Sequence, residues 1–167
     1  ISRSWFREKI WEHLQKLSGK QKSAVYNCDI NDVNDFVPSY SMGDRTRTFL
    51  KVQDGCSHYC SYCIVPFVRG RPVSRDLDES VEEARRIVAS GCPEIVLTGI
   101  HIGLYENLAE LVRRIGAVPG LRRLRFGSVE PFAVDETLLD ALAETPCFCR
   151  HLHLPLQSGS DRILAAM

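Results

Sequence analysis

Three cysteines in one short stretch are the residues of this sequence best suited to chemistry. Cys56, Cys60 and Cys63 are spaced C-x3-C-x2-C. Such short gaps let one loop wrap its thiolates around a small inorganic centre, and thiolates are the ligands that hold iron–sulfur clusters. A [4Fe-4S] cluster bound by three cysteines keeps one iron without a protein ligand, and that iron could bind a substrate atom, as the open position of a catalytic zinc site does. The spacing therefore predicts a metal centre with an open position.

A structural zinc ion is the alternative centre for this loop. Structural zinc takes four ligands, and His58, inside the same loop, could supply the fourth. Four other cysteines lack a matching set of partners: Cys28, Cys92, Cys147 and Cys149. Only the pair Cys147 and Cys149, spaced C-x-C, gives a weak hint of metal binding.

Composition is that of an ordinary globular protein, with 44% hydrophobic and 25% charged residues and a formal net charge of zero over 167 residues. The seven cysteines are an odd number, and no secretory signal opens the chain, so a metal site is favoured over a disulfide framework. No run approaches the roughly 18 apolar residues of a membrane span. We predict a cytoplasmic protein.

The zero net charge conceals an uneven distribution. Residues 41–75 contain six Lys or Arg against two acids, whereas residues 76–120 contain four against eight. A basic segment around the cysteine loop is compatible with a phosphate-bearing substrate. Arg69, Arg71 and Arg75 follow the loop closely and could hold a carboxylate or phosphates in bidentate fashion, or could simply be solvated surface residues.

Residues 1–44 and 45–167 differ in pattern, and we place a domain boundary between them. Apolar residues at helical spacing predict a helix over residues 4–17, and a polar, turn-rich linker follows to residue 44. The chain opens on Ile1, and residues 161–167 read as an interrupted helix. We therefore expect a fragment of a longer protein, truncated within its second domain.

Strands and helices alternate after the boundary. The patterns predict strands over residues 46–53, 94–98, 121–129 and 151–156, separated by helices over residues 76–90, 108–115 and 135–144. This alternation indicates right-handed crossovers and a parallel sheet, in an α/β fold of the barrel-like type. The cysteine loop and the segments after the later strands should then lie at the same end of the sheet. Those segments contain the remaining candidate ligand-binding residues: Gly99, Gly103, Ser128, Glu130, Gln157 and Ser158.

The cysteine loop, with Tyr62 directly before its last cysteine, resembles the signature of the radical S-adenosylmethionine (radical SAM) enzymes. Other segments extend the likeness to the methylthiotransferases, and most closely to the enzymes that methylthiolate N6-threonylcarbamoyladenosine in tRNA beside the anticodon. The match is good over roughly residues 45–167 and loose before them. The segments that carry it are Arg47–Cys56, Pro66–Arg75, Leu97–Gly99, Ser128–Pro131 and His153–Ser160.

The resemblance implies a partial barrel of six strands, of which this chain would supply about four and which would not close on its own. It implies a [4Fe-4S] cluster on Cys56, Cys60 and Cys63 whose open iron binds S-adenosylmethionine, a second [4Fe-4S] cluster in a missing N-terminal domain, tRNA as substrate and an electron donor such as flavodoxin. The isolated fragment would be inactive. The same resemblance assigns cofactor contacts to Tyr62, Gly99, Gly103, Ser128, Glu130, Gln157 and Ser158.

Two other functions remain open at this point. One is a radical SAM enzyme of another branch, acting on a different adenosine or on a ribosomal protein. The other is a non-catalytic zinc or iron–sulfur binding module. Ser160 could simply cap the last helix, and the histidines His101, His151 and His153 have no ligand spacing, which is typical of core or edge residues.

Overall fold

The computed structural model describes Glu12, Leu14 and residues 29–30, 36–39 and 46–167. Most of the predicted helix over residues 4–17 and most of the linker to residue 44 lie outside the described residues, so the domain boundary stays a prediction. Within the described part of the chain, no helix is long and apolar enough to cross a membrane.

A parallel sheet of three strands forms the centre of the described domain. Its strands are β1 (Thr48–Lys51), β4 (Glu94–Thr98) and β5 (Arg123–Phe126), in the order β1-β4-β5. The middle strand buries three successive residues, Ile95, Val96 and Leu97, as expected where both neighbours and the covering helices exclude water. The predicted parallel α/β arrangement is confirmed, and in the described residues the barrel is open.

The helices are α1 (Val65–Arg69), α2 (Leu77–Ala89), α3 (Leu108–Gly116), α4 (Glu136–Glu144) and α5 (Asp161–Ala166). Their ends follow from local chemistry. The carboxylates of Asp76 and Asp135 accept the amide hydrogens of Glu79 and Leu138, which begins α2 and α4. Gly91, at φ +92°, follows the end of α2. The three long helices predicted from the sequence are confirmed to within a residue or two.

The core lies between the sheet and helices α2, α3 and α4. Each helix turns its apolar face to the sheet and its charged face to water. The fully buried side chains that define this core include Leu50, Ile95, Leu97, Leu111, Ile115 and Leu124.

The predicted strand over residues 151–156 is wrong. Beyond β5, only Phe148 forms a parallel bridge, to Leu124, and one further hydrogen bond joins the amide of Val129 to the carbonyl of His153 (3.1 Å). The alternating apolar pattern does not extend the pairing, because Pro155 has no amide hydrogen and the amide of His151 turns back to Cys149.

A short antiparallel pair, β2 (Gln53–Asp54) and β3 (Val73–Ser74), replaces the end of the predicted strand over residues 46–53. Gln53 lies opposite Ser74, and Asp54 lies opposite Val73. The pair closes the base of the loop that contains the cysteines, directly beyond the carboxyl end of β1. The cysteines are thus held at the end of the sheet that the sequence predicted.

Candidate active site

Asp54 anchors the base of the cysteine loop. Its side chain is 1% exposed, and one carboxylate oxygen accepts the amide hydrogen of Gly55 (2.8 Å). The other oxygen lies 2.9 Å from Nζ of Lys51 and 3.6 Å from Nη1 of Arg69. Because a buried carboxylate is stabilised only when it is paired and hydrogen-bonded, these contacts fix the backbone where the loop begins.

The two ends of the loop are also joined directly. The amide of Cys56 donates to the carbonyl of Gly70 (3.0 Å), and Gly55, at φ +77°, lies so close to Arg71 that a side chain would not fit. Only glycine combines a left-handed conformation with this close approach at no steric cost.

Cys56, Cys60 and Cys63 are all half-buried, free thiols within this loop. The amide of Cys63 donates to the carbonyl of Cys60 (2.9 Å), which forms a tight turn between the last two sulfurs. Among the described residues, no three His, Cys, Asp or Glu side chains meet at the spacing of a site for one metal ion. A cubane cluster takes each thiolate on a different iron, so three accessible thiols on one anchored loop fit a [4Fe-4S] cluster.

His58, the fourth ligand that a zinc site would need, is engaged elsewhere. Its ring stacks on that of His101, with 4.7 Å between centroids and 9° between planes, and packs against Phe132 at 5.5 Å. The structure therefore gives no support to a zinc site built from this loop.

Gln53 connects the cysteine loop to the segment after β4. Its side chain is fully buried, and Nε2 donates to the carbonyl oxygens of Asp54 (2.9 Å) and Gly55 (2.8 Å). Oε1 accepts the amide hydrogen of His101 (2.8 Å). A Cβ on Gly99 would lie 2.9 Å from that of Gln53, so a larger residue would not fit beside this side chain.

Glu130 and Gly103 meet at the ends of β4 and β5. Oε2 of Glu130 accepts the amide hydrogen of Gly103 (3.2 Å) and lies 3.2 Å from Nδ1 of His101, although out of line for a hydrogen bond. Burial lowers the pKa of His101, the Glu130 carboxylate opposes that shift, and nearby His58 adds to it. A Cβ on Gly103 would lie 2.6 Å from that of Ala133, so this glycine too permits close packing between loops.

Tyr62 and Gln157 are brought together from distant parts of the sequence. The Tyr62 hydroxyl donates to Oε1 of Gln157 (3.0 Å), and Gln157 has a left-handed φ of +66°. Oγ of Ser158 accepts the amide hydrogen of Ser160 (3.1 Å), which shapes the same loop. Ser128 is exposed at the end of β5 and contributes no hydrogen bond to this group.

The three arginines that follow the cysteines do not form one surface. Arg69 is 49% exposed beside Asp54, and Arg71 is exposed. Arg75 is 7% exposed and pairs with Glu83 through Nη2 (3.1 Å), and its carbonyl accepts the Tyr105 hydroxyl. Arg75 therefore belongs to the packing between β3 and α2, and it does not share an exposed surface with Arg69 and Arg71.

A cavity of about 360 Å³ opens beside Asp54 and Arg69, at the carboxyl ends of β1 and β4. Three residues of the site have no functional role in the sequence-based predictions: Gln53, Asp54 and His101. Their signal in the sequence is weak, because polar residues after a strand are common in loops and only the fold shows that these are buried. The cavity is lined by Ser39, Phe49, Lys51, Asp54, Arg69, Thr98, Gly99 and Ile100.

Curated relatives share much of this sequence. A tRNA-2-methylthio-N(6)-dimethylallyladenosine synthase of Geobacter sulfurreducens is 38% identical over 156 residues, which is 89% of this chain and 35% of that protein. A threonylcarbamoyladenosine tRNA methylthiotransferase, MtaB, of Chlamydia pneumoniae is 40% identical over 132 residues, 77% of this chain and 31% of that protein. The chain thus spans about a third of the length of these relatives.

A solved structure and a family model agree with these relatives. The radical S-adenosylmethionine methyltransferase TsrM of Kitasatospora setae, determined with tryptophan and a SAM analogue, superimposes with a TM-score of 0.59 at 25% identity, over 70% of this chain and 23% of that one. Residues 50–167 match the model of the radical SAM superfamily. With the cysteine loop anchored at the carboxyl ends of a parallel sheet, this chain belongs to the radical SAM superfamily.

Proposed function

We propose that this chain is the radical SAM part of a tRNA methylthiotransferase. The observation that carries the proposal is the loop of three accessible thiols, pinned by Asp54 and by the Cys56–Gly70 hydrogen bond beside the ends of a parallel sheet. Relatives at 38–41% identity are named tRNA-2-methylthio-N(6)-dimethylallyladenosine synthase or threonylcarbamoyladenosine tRNA methylthiotransferase, which supports the reaction class.

Cys56, Cys60 and Cys63 would each hold one iron of a [4Fe-4S] cluster, which supplies the electron for reductive cleavage of S-adenosylmethionine. The base of the loop, at Gln53 and Asp54, is buried and hydrogen-bonded to the backbone of Gly55, which anchors the start of the loop that carries the thiols. The chain's own contribution is thus a preorganised ligand loop at the end of the sheet where α/β barrels bind ligands.

Glu130 is the proposed partner of the S-adenosylmethionine ammonium group. Its carboxylate lies at the end of β5, is half-buried, and faces Gly103 and His101 rather than bulk solvent. A carboxylate in this setting interacts more strongly with a cation than an exposed one does. We assign the other contacts with S-adenosylmethionine to Tyr62, Gly99, Gly103, Ser128, Gln157 and Ser158.

The proposed substrate is tRNA, and Arg69 and Arg71 are the proposed phosphate contacts. The favoured nucleoside is N6-threonylcarbamoyladenosine beside the anticodon, to which the reaction adds a methylthio group at C2. N6-dimethylallyladenosine is the second candidate, because the Geobacter relative and the Chlamydia relative, named for different nucleosides, are almost equally identical to this chain. We also propose that a second [4Fe-4S] cluster, in an N-terminal domain, and an electron donor such as flavodoxin complete the cytoplasmic enzyme.

Anaerobic reconstitution of the full-length protein with iron and sulfide tests the enzyme class. With dithionite and S-adenosylmethionine, the protein should release 5′-deoxyadenosine, and Cys60→Ala should lose it. Cys149→Ala removes a half-buried thiol outside the loop and should keep it. A loaded protein that yields no 5′-deoxyadenosine would support a non-catalytic iron–sulfur module instead.

Mass spectrometry of tRNA nucleosides from a strain lacking the gene tests the substrate. We expect loss of the 2-methylthio derivative of N6-threonylcarbamoyladenosine, with its unmodified precursor accumulating. Loss of the dimethylallyl derivative would assign the second candidate. If both derivatives persist, the substrate is neither, and a different adenosine or a ribosomal protein becomes the target to examine.

A further inference from the structure

A cluster of three aromatic rings, two of them stacked, connects the cysteine loop to the sheet. His101 is 8% exposed, whereas His58, between the first two cysteines, is exposed. The two imidazoles are nearly parallel at 4.7 Å, and Phe132 packs against His58 at 5.5 Å and against His101 at 5.3 Å. Aromatic pairs at such distances stabilise a loop beyond the area they bury.

His101 also contacts the residues that follow β4 and β5. Its backbone amide donates to the buried Gln53 side chain (2.8 Å), which itself bonds to the backbone of the cysteine loop. Its Nδ1 lies 3.2 Å from Oε2 of Glu130 and has no aligned hydrogen-bond partner, although it is buried. One residue therefore touches the cysteine loop by its ring face and the Glu130 carboxylate by its ring edge.

We propose that His101 is a positioning residue that sets the cysteine loop and the Glu130 carboxylate at a fixed separation. The proposal rests on the proposed function, because the two groups would act on one S-adenosylmethionine molecule, the thiols through the cluster and Glu130 on the ammonium group. The stack with His58 holds the loop, and the edge of the His101 ring, with Nδ1 3.2 Å from Oε2, packs against the carboxylate. These two roles can be separated by substitution.

Three variants of the full-length protein test the contact with the loop and the contact with Glu130 separately. His101→Phe keeps a ring for the stack but removes Nδ1, His58→Ala removes the stack but leaves Nδ1 beside Glu130, and His101→Ala removes both. His153→Ala is the matched control, because that side chain is exposed and only its backbone is used, as an acceptor for Val129.

Hydrogen exchange of the protein without its cluster gives the first readout. Amides of residues 56–63 should exchange about tenfold faster in His58→Ala and His101→Ala, the size expected from loss of an aromatic pair, and near the control rate in His101→Phe. This readout does not depend on catalysis. Equal exchange in His58→Ala and His153→Ala would overturn the role of the stack.

Measurements on the protein with its cluster bound give the second readout. His101→Phe should raise KM for S-adenosylmethionine about tenfold in the cleavage assay while kcat changes little, because a misplaced carboxylate weakens ground-state and transition-state binding alike. The change that S-adenosylmethionine produces in the electron paramagnetic resonance spectrum of the reduced cluster should need correspondingly more ligand. An unchanged KM in His101→Phe would overturn the role of Nδ1. If the unsubstituted protein binds a cluster without cleaving S-adenosylmethionine, the proposed function fails, and the exchange measurements still decide the stack.

Discussion

Replacing Gly55 with alanine should prevent the cysteine loop from holding a cluster while leaving the fold in place. Gly55 has φ +77°, and a Cβ there would lie 2.1 Å from the carbonyl oxygen of Arg71 and 2.7 Å from its carbonyl carbon. Both contacts are with backbone, so no rotation of a side chain can relieve them. The two ends of the loop would have to separate.

The cost can be built from the contacts at this point. An alanine in the left-handed region costs about 1–2 kcal/mol, before any clash. Separation of the loop ends also breaks the Cys56–Gly70 hydrogen bond (3.0 Å) and the bond from Gln53 to the Gly55 carbonyl (2.8 Å), each worth about 1 kcal/mol net. The total is about 3–4 kcal/mol, concentrated at the base of the loop. No residue between Gly55 and Pro72 belongs to the hydrophobic core of the described domain, so the sheet and helices should persist.

The matched control is Gly91→Ala. Gly91 also has a positive φ, +92°, but no atom lies within 4 Å of the position that its Cβ would occupy. This variant therefore pays only the conformational cost of about 1–2 kcal/mol, at the end of α2 and far from the cysteines in sequence. Iron and sulfide per chain after anaerobic reconstitution, the visible absorbance of the cluster, and thermal unfolding of the cluster-free protein measure the two effects separately.

We expect Gly55→Ala in the full-length protein to lose the iron and the visible absorbance that the cluster on this loop contributes, while keeping the helical circular dichroism of the parent. Gly91→Ala should keep its iron and unfold at a lower temperature. A Gly55→Ala protein that binds a full cluster would show that the base of the loop is not rigid, and the reasoning from Asp54 and the Cys56–Gly70 bond would fail with it.

Three further predictions concern stability. Arg75→Met should lower the free energy of unfolding in urea by about 3–5 kcal/mol, because it leaves the buried Glu83 carboxylate without its nearest cation. Adding Glu83→Leu should recover most of that loss. An unchanged free energy of unfolding in Arg75→Met would contradict the role of this arginine in the packing. Asp135→Ala should cost about 1 kcal/mol through loss of the α4 cap, whereas Asp140→Ala, exposed within the same helix, should change little. The pKa of His101 lies below the ordinary value of 6.5, so the unfolded chain binds more protons at this residue than the folded one. The free energy of unfolding should therefore fall as the pH drops below about 6.5. Urea titrations of His101→Phe should show a weaker fall, and the same pH dependence in the variant and the parent would contradict the burial of this ring.

Local patterns were sufficient for most of the elements. Helix α2 begins at a capping aspartate and is followed by a glycine of positive φ, and β4 is an apolar run between Pro93 and Gly99, so each carries its own boundary signals. The segment over residues 151–156 carries an equally good alternation yet pairs at only one position, since strand formation depends on a neighbour that can receive its hydrogen bonds. Strand pairing depends on the whole sheet, so the alternating pattern of one segment does not determine whether that segment pairs.

The candidate site also contains both residues that the sequence predicts and residues that only the structure brings into it. The cysteines are recognisable by spacing alone, because a cluster needs its ligands on one short loop. Arg75 was misplaced by the same argument: nearness in sequence to the loop grouped it with Arg69 and Arg71, but the β2–β3 pair turns the chain between them and directs its side chain into the contact with Glu83. A single amide or imidazole has no characteristic spacing, so the sequence assigns no role to Gln53 and predicts His101 only as a core or edge residue; the contacts of both side chains depend on their burial.

The distribution of burial along the cysteine loop suggests how it meets its cluster. Gln53, Asp54 and Gly55 are buried, whereas Tyr59 and Tyr62 near the tip are 56% and 58% exposed. The base is therefore ordered by the protein itself. The exposed tip is held by contacts of single residues: the His58 stack, the Tyr59–Phe67 ring contact, the Tyr62–Gln157 hydrogen bond, and hydrogen bonds from the amide and hydroxyl of Ser61 to the carbonyls of Met167 and Ala166. Because ligand binding that orders a segment is coupled to the folding of that segment, part of the affinity for the cluster should be used to order the tip. Because Gly55 lies in the buried base and Ser57 is exposed, we expect a change at Gly55 to weaken cluster binding more than one at Ser57.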